Sequence, residues 1–84
     1  NPLDFVFIDA HHDKDATIGY FQTILPYLSE NCIVVFDDIR WSKGMKKAFK
    51  QIIETPQVRY VFDLKEMGVC ILGSEQEEKR IFRV

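Results

Sequence analysis

Three carboxylates follow apolar runs at places where a strand end could do chemistry. Asp9 closes Phe5-Val6-Phe7-Ile8, and Asp37 with Asp38 closes Ile33-Val34-Val35-Phe36. As neighbouring parallel strands, the two runs would lie about 4.8 Å apart. The acids would then meet beyond the strands' carboxyl ends, where open parallel sheets bind ligands. Like charges that close are costly unless a cation or a proton offsets them. A hard divalent ion such as Mg²⁺, which prefers oxygen ligands, suits the position. The plainer role for Asp37 or Asp38 is to cap a turn or the following helix. After Asp9 come His11 and His12, of which at most one faces a common site in extended chain. Either titrates near neutral pH and suits a general base. Lys14 is the other base or charge partner. Trp41, after the acidic pair, either walls a ligand pocket or packs on the sheet edge. No glycine-rich phosphate loop, GxSxG elbow or metalloprotease motif is present.

The elements that must position these residues can be read from spacing. The runs at 5–8 and 33–36 have strand length and no alternation, as in a parallel sheet covered on both faces. Between them Ile18, Phe21, Ile24, Leu25 and Leu28 recur at helical spacing, with Asp15 or Thr17 as N-cap. Pro26 lies inside that pattern and predicts a kink or a tightening. Ser42 caps a second helix that gathers Met45, Ala48, Phe49, Ile52 and Ile53 on one face, with Lys43, Lys46, Lys47 and Lys50 as a solvated face, and Pro56 ends it. Val58, Tyr60 and Phe62 alternate with Arg59, Val61 and Asp63 as a half-buried strand. Val69 to Leu72 is a fourth strand, Ser74 to Arg80 a solvated segment, and Ile81-Phe82-Arg83-Val84 a short terminal strand.

The order is β-α-β-α-β-β. Two right-handed crossovers in one direction put both helices on the same face of the sheet. The first two strands are apolar on both faces, so the second face needs a cover that these elements do not supply: more chain or a second copy. With 84 residues, short for a mixed α/β domain, and a start at Asn1-Pro2, the expectation is a piece of a larger protein.

Composition narrows the classes. The chain is 46% hydrophobic and 29% charged, with 13 acids against 11 bases and a net charge of −2. That is too apolar and aromatic for a disordered tail and too acidic for a general nucleic-acid binder. No apolar run approaches the roughly 18 residues of a membrane span. Cys32 and Cys70 form neither a disulfide framework nor a CxxC pair, which predicts a reducing, cytoplasmic setting. A small-molecule substrate is the expected partner, not nucleic acid or membrane, and a homo-oligomer is compatible with the open sheet face.

Asp4-Phe5-Val6-Phe7-Ile8-Asp9-Ala10, followed by Asp13-Lys14-Asp15 and Tyr20, resembles the fourth-strand motif of class I S-adenosylmethionine-dependent methyltransferases. Val35-Phe36-Asp37-Asp38-Ile39-Arg40-Trp41 is similar to the fifth-strand segment of their cation-dependent O-methyltransferase branch, the catechol and caffeoyl-CoA type. The resemblance reaches to about Leu72. It implies an α/β, Rossmann-like methyltransferase sheet, of which residues 1–84 are the C-terminal half, with the last strand antiparallel and both helices on one face. It implies methyl transfer from S-adenosylmethionine to a hydroxyl of a small molecule, assisted by a divalent cation, Mg²⁺ by preference. Carried over, Asp9, Asp37 and Asp38 are the metal ligands, Asp9, His11 and Asp13 lie at the cofactor, and Trp41 lies at the substrate. Counting from Asp9 makes His12 the base, whereas aligning Asp13-Lys14-Asp15 selects Lys14.

Two departures stand out: Asp38 replaces an Asn of the family pair, and the histidine pair is not typical of catechol-type enzymes. A metal-independent methyltransferase and a non-catalytic interaction or structural module of the same fold are the alternatives. A phosphoacceptor receiver domain also clusters acids at strand ends, but its acidic pair comes on the first strand, the reverse of the order here. The cofactor-gripping glycine-rich loop of the family is not among these residues, so the isolated chain is expected to be inactive.

Overall fold

The structure, a computed structural model, describes residues 3–9, 13–40, 42–74 and 76–83. Five strands and two helices follow one another as β1 (Leu3–Ile8), α1 (Lys14–Ile24), β2 (Leu28–Phe36), α2 (Lys43–Ile53), β3 (Val58–Asp63), β4 (Gly68–Leu72) and β5 (Arg80–Arg83). They form one sheet in the order β1-β2-β4-β3-β5. β1 and β2 run parallel, as their short helical crossover requires. The β3–β4 hairpin then places β4 antiparallel between β2 and β3. β5 pairs parallel with β3 at the far side. The expected β-α-β-α-β-β order with an antiparallel final strand is therefore present, and the short terminal strand adds to it.

Both helices cover one face. The Phe36 ring of β2 meets Phe21 of α1 at 5.7 Å and Phe49 of α2 at 5.9 Å between centroids, each edge-on. Such aromatic contacts contribute about 0.5–1.5 kcal/mol beyond the area they bury. Beneath the helices the register lines up two rows across the strands, Val6-Val34-Cys70-Val61-Ile81 and Ile8-Phe36-Gly68-Asp63-Arg83. The core is built on these rows. Burial pushes the Cys70 thiol up to about 12 and raises Cys32 as well, and both cysteines are free.

The opposite face carries Phe5-Ile33-Ile71-Tyr60-Arg80 and Phe7-Val35-Val69-Phe62-Phe82. Phe5 and Phe7 are 62% and 52% exposed, and Phe62 stacks on Phe82 at 5.1 Å. Among the described residues no helix lies on this side, and none is long and apolar enough to cross a membrane.

Local chemistry explains where the elements begin and bend. α1 starts two residues earlier than a cap at Asp15 would place it. Asp13 is the N-cap, its Oδ1 accepting the Ala16 N–H at 3.0 Å, while Thr17 lies inside the helix and donates back to the Asp13 carbonyl at 2.7 Å. Pro26 tightens the end of α1 into a 3-10 turn over Leu25–Tyr27, and Leu28 opens β2 instead of prolonging the helix. Ser42 caps α2 as expected, accepting from the Met45 N–H at 3.1 Å.

The phase of β3 departs from simple alternation. Val58 pairs with Leu72 but Tyr60 pairs with Ile71, so Arg59 is an extra residue in the ladder. This bulge turns Val61 and Asp63, rather than Tyr60 and Phe62, toward the helices. Arg59 Nη1 meanwhile donates to the Glu77 carbonyl at 2.7 Å.

At the other end of α2, Lys79 Nζ donates to the Ile53 carbonyl and, at 3.2 Å, to that of Thr55. Carbonyls at a helix C-terminus lack intrahelical donors, so the ammonium satisfies groups that would otherwise be orphaned. Lys79→Met is expected to destabilise the chain by about 1–2 kcal/mol, read as a lower urea midpoint.

Gly68 sits where a Cβ would run into the ring of Phe49. Gly68→Ala should therefore cost about 1–3 kcal/mol by overpacking. The pair Gly68→Ala with Phe49→Leu should be less than additive in urea denaturation, because the smaller side chain leaves room for the methyl group.

Candidate active site

The ladder between β1 and β2 delivers the acids to one edge. Ile8 pairs with Phe36, and the Asp37 N–H donates to the Ile8 carbonyl at 3.2 Å. Asp9 and Asp37 are thus the first residues beyond two adjacent parallel strands. Asp37 Oδ1 accepts the Asp38 N–H at 2.9 Å, which closes a local turn. Asp38 itself has φ 56°, in the left-handed region that short polar side chains enter more readily than other non-glycine residues.

α1 and α2 both start at this edge. Lys14 opens α1, and a Cβ on Gly44 would lie 3.4 Å from that of Lys14, so the two helix starts are packed together. Thr17 Oγ1 lies 3.5 Å from Met45 Sδ in the same contact. Their N-terminal dipoles favour negative charge nearby, which partly offsets the three carboxylates.

Beyond Asp38 the loop is anchored to the opposite hairpin. Ile39, 2% exposed, donates its N–H to the Glu66 carbonyl at 2.9 Å. Arg40 grips Asp63 with both terminal nitrogens, at 2.7 and 2.8 Å, and Nη1 also reaches the Lys65 carbonyl at 2.7 Å. Asp63 accepts the Lys65 N–H at 3.0 Å as well. Burial alone would raise the Asp63 carboxyl, but that N–H bond and the Arg40 guanidinium outweigh it and hold the group below the usual carboxylate range.

The arrangement of the expected site residues is mixed. Asp9 and Asp37 are brought together, Asp38 continues the same turn, and Lys14 lies in the first turn of α1. Asp13 has a structural task as the cap of α1. His11, His12 and Trp41 lie outside the described residues. Among the described residues no group of three or more His, Cys, Asp and Glu side chains is placed to hold a metal ion. Asp9, Asp37 and Asp38 thus stand after the two strands without being placed as the three-ligand group expected from their spacing, and Asp37 Oδ1 accepts the Asp38 N–H. Sequence reading also missed the Arg40–Asp63 clamp. Its partners are 23 residues apart, and only the bulge at Arg59 turns Asp63 toward Arg40's side of the sheet.

Residues 1–39, covering β1, α1 and β2 with their connecting loops, match a family model described as a methyltransferase domain. No curated protein and no solved structure matches the chain.

The clamp carries a pH signature. Because the folded value of Asp63 is lowered, its contribution to stability is complete above the ordinary carboxylate range and is lost as the pH falls through the folded value. Asp63→Asn should lose about 1–3 kcal/mol at pH 7 and show a shallower decline than the wild type below about pH 4, measured as urea midpoints across pH. Arg40→Ala should cost a similar amount at neutral pH, because it leaves a largely buried carboxylate without its guanidinium partner.

Proposed function

We propose that this chain is the C-terminal half of a methyltransferase domain that moves a methyl group from S-adenosylmethionine to a hydroxyl of a small molecule. The observation that carries this reading is the match of residues 1–39 to a methyltransferase-domain model, laid over a β-α-β unit that puts Asp9 and Asp37 side by side at the sheet's carboxyl edge. The two apolar rows on the open sheet face support the other half of the proposal, since they suit a cover of further helices from the same domain.

When bound, S-adenosylmethionine supplies a methyl group on a positively charged sulfur. Asp9, which follows β1, is the acid assigned to face such a cation. The sulfonium would donate its methyl carbon to the substrate oxygen and leave as the neutral thioether, and His12 or Lys14 would take the hydroxyl proton. Packing of the helix starts around Lys14 and Gly44, with the clamp on the 37–40 loop, holds the edge in one geometry, which favours an aligned displacement. The described acids do not assemble a three-ligand metal site. Trp41 is assigned to the substrate side by its place after the acidic pair.

Titration calorimetry of the full-length protein with S-adenosylmethionine tests the reading. Saturable binding is expected, and Asp9→Ala should weaken it about tenfold or more, the equivalent of one charge-assisted contact. Absence of binding by a folded, full-length protein would overturn the assignment. Repeating the titration with Mg²⁺ and with a chelator reports separately on metal assistance.

A further inference from the structure

A groove of about 420 Å³ lies on the helix-covered side, between α2 and β5. Its apolar lining comes from Ile39, from Phe49 and Ile53 of α2 and from Ile81 of β5. Ile81 is 38% exposed there. Four cations line the same groove, Arg40, Lys46, Lys50 and Arg83, against two carboxylates, Asp63 and Glu54. That local excess of positive charge stands on a chain whose net charge is −2, so it is not the general character of the surface.

Neither carboxylate forms an ion pair with the lysines, although Glu54 stands four residues beyond Lys50. Asp63 has both oxygens engaged by Arg40, accepts the Lys65 N–H, and has Arg83 Nε at 3.9 Å. Among the described residues neither Lys46 nor Lys50 has an ion-pair partner, Glu54 included. Four residues apart on α2, they are helix-surface neighbours whose like charges repel. An anion seated between them would relieve that repulsion, and the apolar lining would take the body that carries it. The volume is in the range of small-molecule sites, which combine a mainly apolar lining with a few convergent polar groups.

We propose that this groove binds a small amphipathic anion, an organic molecule with a compact aromatic or short aliphatic body and one carboxylate or comparable acidic group. The ligand's body lies on Phe49, Ile53 and Ile81, and its charge is shared by Lys46, Lys50 and Arg83. The groove borders the 37–40 loop through Ile39 and Arg40, but it does not rest on methyl transfer, so it stands or falls separately.

Amide-resolved NMR titration of the full-length protein with 2-naphthoate, and in parallel with the neutral 2-naphthylmethanol, tests the proposal. The expected result is saturable shifts at residues 46–54 and 81–83, with the carboxylate bound about tenfold more tightly than the alcohol, a difference of roughly one favourable charge interaction. Lys46→Glu with Lys50→Glu, both exposed helix positions, should abolish that preference while leaving the remaining spectrum folded. The comparison of the two probes needs no variant, so it decides the matter even if the double variant fails to fold. Equal affinity for the two compounds would overturn the proposal. So would shifts confined to Phe5, Phe7 and Phe82 on the open face. Binding of an acidic peptide without binding of naphthoate would overturn it in favour of a protein partner.

Discussion

The Phe36 ring is held edge-on by Phe21 from one helix and Phe49 from the other, and Phe49 reaches it only because Gly68 on the neighbouring strand has no side chain. This contact joins α1, β2, α2 and β4 at one point. It also lies one residue before Asp37, so the packing that holds the helices on the sheet holds the base of the acidic turn. A close-packed interior transmits small displacements instead of absorbing them. The position of the carboxyl edge is thus a property of the aromatic cluster beneath it as much as of the loop itself.

Much of this architecture is legible in residue order. The two unbroken apolar runs give β1 and β2, the Ser42 cap with its helical stripe gives α2, and Pro26 marks the end of α1. Two crossovers in one direction place both helices together, and Phe21 and Phe49 meet Phe36 from that same side. What escapes is set by geometry that composition does not encode. A single extra residue at Arg59 reverses which side chains of β3 are buried, and alternation alone cannot register it. The cap of α1 falls on Asp13, ahead of the expected Asp15 or Thr17, because its own carboxylate reaches the Ala16 amide, which the spacing of apolar residues does not reveal.

The candidate site is legible to a lesser degree. Acids after buried strands point to the carboxyl edge, and the ladder does bring Asp9 beside Asp37. Whether three carboxylates share one centre depends on backbone direction after the strand. Asp37 turns its oxygen onto the Asp38 amide, and Asp38 takes a positive φ, neither of which apolar patterning encodes. Arg40, unremarkable in the sequence, ties that loop to Asp63 on a strand two places across the sheet.

That tie fixes more than an angle. Between Phe36 and Ser42 the chain must leave the sheet, satisfy Ile39 against Glu66, extend Arg40 to Asp63 and still deliver the cap of α2. Every residue of that short passage described here is committed at one end or the other. A residue inserted or deleted within 37–40 would displace either the Ile39–Glu66 or the Arg40–Asp63 contact. Over residues 37–40 the length is therefore set by these contacts, and diversity in what this edge recognises falls to side-chain identity.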